Sequence, residues 1–412
     1  MLPRRDNRVV MRIVRLGILS AAFLLFLLPG PAQSEPLTSA SAQRQAAIAL
    51  EQQGRLPEAE QAWRAIAQSN PRNAEAYAHL GLLAARRDNY QQAIPLYRKA
   101  LALNPAFPGL RMNLGLALFK GDHSKEAIHE FATLLHDPKT PPAQALRLQI
   151  LIGMAHYGEG EYAEAIPFLK QAAAADPHNL PLRLVLAHTC LWSKQNQCVL
   201  DTYREILTID PDSAEAYVLA GEAMDAQKNT TGAIEQFRLA IQANPRLPMA
   251  HFGLGYLLWT QKAYDDAAKE LQAELDVNPD YPQAMLYLAD IRVKAGRFEE
   301  ARPLLEHVAK ADPTLSLAHL DLGIVLSESG QNQDAVKELK EAARLDPSDT
   351  DAHWRLARIY RTMGETDAAE KEFAKTKELK DAAHEDLYQK LAHGQPQKPD
   401  AEIPFTPSAP QQ

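Results

Sequence analysis

One spacing governs this chain of 412 residues. Prolines preceded by Asn or Asp fall at Pro71, Pro105, Pro138, Pro177, Pro211, Pro245, Pro279, Pro313 and Pro347, and every step from Pro177 onward is 34 residues. Proline disfavours helical backbone in the residue before it and has no N–H for the preceding turn, so each Asn/Asp-Pro pair can end a helix. Twelve residues before each proline, eleven at Pro138, stands a small residue, in the series Ala59, Ala93, Ala127, Ala165, Val199, Ala233, Ala267, Ala301 and Ala335, which Ala369 continues. Twelve earlier again the series is Ala47, Gly81, Gly115, Gly153, Ala187, Gly221, Gly255, Ala289, Gly323 and Ala357. Four residues after each member of the first series comes a bulky one, among them Trp63, Tyr97, Phe131, Leu169 and Phe237. Small residues at two facing points let two helices approach closely, and the bulky residue fills the angle between them.

The segment AEAYAHLGLLAARRDNYQQAIPLYRKALALNP shows the unit most fully, with Tyr77, Leu80, Gly81, Ala93, Tyr97 and Pro105 in phase. The pattern resembles the tetratricopeptide repeat, whose W-x2-L-G-x2-Y, A-x3-F and P positions recur at a period of 34. The resemblance implies an all-α, right-handed superhelical solenoid of ten helix-turn-helix repeats over 40–376. Between Ala127 and Ala165 the step is 38, and four extra residues are expected in a loop at HDPKTPPAQ that bulges from one edge. Repeat 10 has Asp381 in place of the closing proline, so a C-terminal capping helix is expected over 377–392, its stripe being Leu379, Ala383, Leu387 and Leu391. The Pro-rich tail 393–412 is expected to be disordered.

Ahead of the repeats, Arg4, Arg5, Arg8, Arg12 and Arg15 precede an apolar run from Leu16 to Leu28 and then PGPAQSEP. That is the layout of a signal peptide over 1–34, cleaved after Ser34, with Met11 as an alternative start. An uncleaved anchor is the competing reading, but the run is short against the ~20 residues of a spanning helix. Secretion across an inner membrane to a periplasm is therefore expected, with membrane attachment only through an uncleaved signal. Residues 1–34 hold five arginines and one aspartate, so 39 basic and 51 acidic residues remain, a net charge of −12. Such a surface repels nucleic acid and anionic lipid.

No catalytic, nucleotide, zinc or haem motif occurs, so the chain reads as a non-enzyme with no cofactor and no metal. His251, His319 and His353 occupy the fourth repeat position, where the family usually packs an aromatic. Asn229-Thr230-Thr231 is a sequon in the turn of repeat 6. Cys190 and Cys198 are the only cysteines; they lie on the two helices of repeat 5 at positions that face each other across the hairpin. In an oxidising compartment they can bond, the alternative being two free buried thiols.

In the family the first helix of each repeat lines the concave surface, where positions 2, 5, 9, 12 and 13 reach ligand. Carried over by phase, these positions give a groove of Phe119, Tyr157, His188, Trp192, Phe252, Tyr256, Trp259, Ile324 and Trp354. Its acidic interruption is Glu215, Glu222, Asp225 and Asp290. Asn113 alone matches a terminal-carboxylate clamp, and Ala78 and Leu82 stand where its first pair belongs, which excludes that variant. An apolar, aromatic stripe of this length implies a scaffold or assembly factor that binds an extended or helical segment of a partner protein. The competing expectation is a carbohydrate-binding scaffold for polysaccharide export, with the rings stacked on sugars. The alternative to any groove is burial of the stripe between neighbouring repeats.

Overall fold

The computed structural model describes residues 39–392, with side chains to residue 384. The expected signal peptide and the tail 393–412 lie outside the described residues. Every described element is a helix, and the helices alternate in pairs. The chain divides into two compact units, Met1–Leu254 and Gly255–Gln412, and the division falls inside the helix Ala250–Thr260.

In the first unit the repeats open with the pairs Ser39–Gln52 and Leu56–Ser69, then Ala74–Ala85 and Tyr90–Leu103, then Leu110–Lys120 and Ser124–Leu135. They continue through Pro142–Gly158 and Tyr162–Ala175, Leu180–Trp192 and Asn196–Ile209, and Ala214–Ala226 and Thr230–Ala243. The second unit holds Tyr264–Val277, the pairs Pro282–Lys294 with Phe298–Ala311 and Ser316–Glu328 with Asn332–Leu345, and finally Thr350–Thr362 with Thr366–Ala392. From Ser39–Gln52 to Thr230–Ala243, and again from Tyr264–Val277 to Thr366–Ala392, each helix packs on the next, and first helices of neighbouring repeats also touch, as Leu180–Trp192 does Ala214–Ala226 and Pro282–Lys294 does Ser316–Glu328.

Local chemistry sets the boundaries. At every repeat proline but Pro138, where His136 caps the helix, the residue before the proline ends a helix: the Asn70 N–H bonds the Ile66 carbonyl at 2.9 Å. Its side chain then accepts the N–H of Arg72 at 3.2 Å, and the same pair of bonds recurs at Asn104, Asp210, Asn244, Asp312 and Asp346. Asn and Asp are needed there because a short side-chain acceptor can fold back on its own backbone two residues on. Within each repeat the two helices join through one left-handed residue at constant phase: Gly54, Asp88, Asp122, Gly160, Lys194, Lys228, Lys262, Gly296, Gly330 and Gly364. At Asn229 the sequon side chain accepts the Gly232 N–H at 3.0 Å and caps the second helix of repeat 6.

The periodic small and bulky residues meet as their spacing predicts. A Cβ added to Gly115 would lie 2.5 Å from the Phe131 ring, and one on Gly153 would lie 2.7 Å from Leu169. Ala47, Ala187, Ala289 and Ala357 at the same phase are fully buried. Two bulky residues depart: Tyr203 and Phe373 are only half-buried, and the Tyr203 hydroxyl bonds Gln236 at 2.8 Å.

The four extra residues do not form the expected bulging loop. They lengthen the first helix of repeat 4 to 17 residues, against 13 for Leu180–Trp192, and leave only residues 136–141 between helices. Pro142 stands in the helix's first turn, where its missing N–H has no helical partner to lose, so the Pro-rich stretch starts the helix. At the C-terminus one helix spans Thr366–Ala392. Leu379 is half-buried and Ala383 exposed on it, so the expected apolar stripe is not covered as far as its side chains are described.

Candidate functional site

The fourth-position histidines have structural partners. His319 Nε2 donates to the carbonyl of Pro313 at 3.2 Å and Nδ1 meets Glu338 on the second helix at 2.7 Å. His251 Nε2 reaches the Pro245 carbonyl at 3.2 Å, and the Tyr217 hydroxyl makes the same bond to Pro211 at 2.8 Å. His353 pairs with Glu372 at 2.6 Å. At Tyr217, His251 and His319 a donor-bearing ring therefore ties down the carbonyl of the loop proline six residues earlier. Among the described residues, no group of three or more His, Cys, Asp or Glu is placed to hold a metal.

The first unit carries five of the nine groove residues. Phe119, Tyr157 and Phe252 are almost wholly buried, so they form the wall between helices and offer no surface. The burial anticipated as the alternative to a groove holds for these three. His188 is also buried, with Nε2 bonded to Glu215 of the next first helix at 2.6 Å. Trp192 stays half-buried: its ring stacks on Tyr162 at 6.2 Å, Tyr162 packs edge-on to Tyr157 at 5.4 Å, and Trp192 Nε1 has no hydrogen-bond partner. Nearby, Cys190 and Cys198 are joined by a disulfide with Cα atoms 5.7 Å apart.

The second unit gathers a denser set. Tyr256 and Trp259 stack at 6.2 Å, and Tyr287 of the next first helix meets them at 5.2 and 4.7 Å; all three rings are half-buried. Trp259 Nε1 donates to Asp290 Oδ2 at 2.5 Å, and Lys294 donates to the other oxygen of the same carboxylate. Lys294 Nζ also lies 6.0 Å over the Trp259 ring. Asp321, on the following first helix, is buried, and its Oδ2 has no hydrogen-bond partner. Burial, and then the charge of Asp290, hold the Asp321 carboxyl well above its ordinary range, with Lys294 and Arg355 opposing. Burial likewise pushes the Tyr287 hydroxyl to about 12, aided by Tyr256 and Asp290. Ile324 is buried, whereas Trp354 is half-buried beneath Arg358, whose guanidinium lies 4.7 Å over its ring.

The carried-over positions omitted Tyr287 and Asp321. Both stand at the sixth repeat position, one helical turn before the ninth-position Asp290 and Ile324. The sequence signal was available: i, i+3 places positions 6 and 9 on one face.

Comparison with family models decides the family. Two models described as tetratricopeptide repeat match, one at residues 82–150, 156–197, 258–320 and 326–400 and the other at 44–109 and 200–248. The chain belongs to the tetratricopeptide repeat family. Repeats of this kind typically build non-enzymatic scaffolds. Curated proteins give no match. Among solved structures, the repeats are similar to pilF of Pseudomonas aeruginosa at 20% identity, over 51% of this chain and 96% of that one, with a TM-score of 0.46. They are similar also to YrrB, a TPR protein with an unusual peptide-binding site, at 20% identity, over 45% and 95% of the two chains, with a TM-score of 0.39. MamA from Desulfovibrio magneticus RS-1, from residue 41 of its own chain onward, matches at 20% identity over 42% and 97%, with a TM-score of 0.37. None of these likenesses bears on what this chain binds.

Proposed function

We propose that this tetratricopeptide chain is a non-enzymatic scaffold that binds a segment of a partner protein on the first-helix faces of its repeats, and that it works outside the cytoplasm. The observation that carries the reading is the cluster of Tyr256, Trp259 and Tyr287, three rings left half-exposed on consecutive first helices after the periodic positions have filled the core. Large rings on rigid helices supply contact area at little entropic cost, which is what a binding surface requires. The basic and apolar N-terminus, followed by small residues, supports export.

A sugar-binding face needs free polar acceptors beside its rings. Both Asp290 oxygens are already engaged by Trp259 and Lys294, and the residue is fully buried. Asp290 is thus withheld from sugar hydroxyls, which favours a protein segment.

The test is a Tyr256→Ala, Tyr287→Ala variant used as bait in a crosslinking pull-down from the native compartment. A variant that melts like the parent and loses the parent's principal partner supports the reading. A folded variant that captures the same partner in the same yield contradicts it. Localisation is tested separately by N-terminal sequencing of the mature chain: a start at Glu35 is expected, and an intact start recovered from the cytoplasm contradicts export.

A further inference from the structure

We propose that the second unit seats a lysine or arginine side chain of the bound segment, the cation lying against Tyr256, Trp259 and Tyr287 and bonding the carboxylate of Asp321. This rests on the reading that the first-helix faces hold a protein segment, and it commits to the chemistry of one residue in that segment.

The argument is an account of donors and acceptors. Three carboxylates and two cations meet on these first helices. Asp290 is satisfied on both oxygens by Trp259 and Lys294, and Asp351 is bonded by Arg355 at 3.3 Å. Asp321 is left over, only 2% exposed and with Oδ2 unpartnered. The raised carboxyl holds its own proton in the free chain, and a buried polar oxygen without a partner is costly; a cation that displaces that proton gives the carboxylate a charge-assisted bond. A cation suits it better than a neutral donor because the neighbouring surface is aromatic, and ring faces attract positive charge. Lys294 already illustrates the arrangement, with its ammonium bonded to a carboxylate and over the Trp259 ring. Its side chain is 42% exposed, so it can swing aside or share the site.

Position in the repeats brings the parts together. Tyr287 and Asp321 occupy the same phase on the helices Pro282–Lys294 and Ser316–Glu328, which pack against each other, and Asp290 stands one turn beyond Tyr287. The charged groups that face Asp321 are Asp290, Lys294, Asp351 and Arg355. Seating a cation ionises Asp321 and releases its proton, so affinity for a cationic segment rises with pH.

The experiment pans random dodecapeptides displayed on phage against the intact chain, its Asp321→Asn variant and its Tyr287→Leu variant, each checked for parental helix content and a cooperative melt. The expected result is a consensus with Lys or Arg at one aligned position, and a synthetic consensus peptide weakened about tenfold or more when that residue becomes norleucine. Asp321→Asn abolishes the difference between the two peptides; Tyr287→Leu reduces it. A consensus with no cationic position, or a difference that survives Asp321→Asn, overturns the inference and leaves the first-helix face standing. Failure to select any peptide overturns both.

Discussion

Replacing Gly115 with valine tests the close approach on which the whole repeat depends. A first-helix Cβ at this point would lie 2.5 and 2.8 Å from two atoms of the Phe131 ring, against about 3.5 Å for an unstrained carbon contact. The ring must retreat by roughly 1 Å, yet Phe131 is fully buried. Overpacking of this kind costs about 1–3 kcal/mol, and valine lies at the upper end because it adds two methyls beyond the colliding atom. Phe131→Ala alone costs about 3–5 kcal/mol through the cavity it leaves. In Gly115→Val with Phe131→Ala the new methyls enter that cavity, so the double variant is expected to fall short of the sum by about 1–2 kcal/mol. Native-state hydrogen exchange of the amides in Leu110–Lys120 and Ser124–Leu135, with urea unfolding of the whole chain, reads both the local and the global term. Strict additivity, or a Gly115→Val variant within about 0.5 kcal/mol of the parent, refutes the idea that this phase is small because two helices meet there.

Three further outcomes follow from particular residues. Thiol counting under denaturing, non-reducing conditions is expected to find neither Cys190 nor Cys198 free, and a Cys190→Ser, Cys198→Ser variant is expected to lose about 2–3 kcal/mol for a loop this short; two titratable thiols contradict the bond. Lys228→Gly and Lys262→Gly relieve left-handed backbone at exposed turns, where φ is 62° in both, and each is expected to stabilise by about 0.5–1 kcal/mol in thermal melts; a loss of stability contradicts the strain. Asp321 is raised from 3.8, so between that value and its folded value the native state holds the extra proton. Its contribution is present at low pH and is lost as pH rises through the folded value, so Asp321→Asn is expected to stabilise the chain at pH 8 relative to pH 4 and flatten the profile; an unchanged profile contradicts the burial.

The repeat phase was legible because it is written in steric extremes. Glycine facing phenylalanine, and Asn or Asp before proline, are choices that few other arrangements demand, and they survive without any knowledge of neighbours. The four added residues were misplaced because a Pro-rich stretch reads as a loop until it is known that Pro142 can stand in a first turn. The binding face was legible only in outline. Phase alone gives which way a residue points along its own helix, whereas exposure depends on the next repeat's side chains. Phe119, Tyr157 and Phe252 therefore read as surface and are buried, while Tyr287 and Asp321 went unmarked because the sixth position was not carried over; their importance comes from the preceding first helix, through Trp259 beside Tyr287 and Asp290 beside Asp321. The histidines were read as packed residues, and they are held by bonds to proline carbonyls at His251 and His319 and to Glu372 at His353.

Site-specific photocrosslinking tests the central claim most directly. A photoreactive phenylalanine analogue is placed at Tyr256 on the first-helix face, or at Lys269, exposed on the second helix of the same repeat, and irradiated in the native compartment. A discrete protein adduct at position 256 and none at 269 is the predicted result. Adducts of equal yield at both positions, or only at 269, contradict a partner held on the first-helix face.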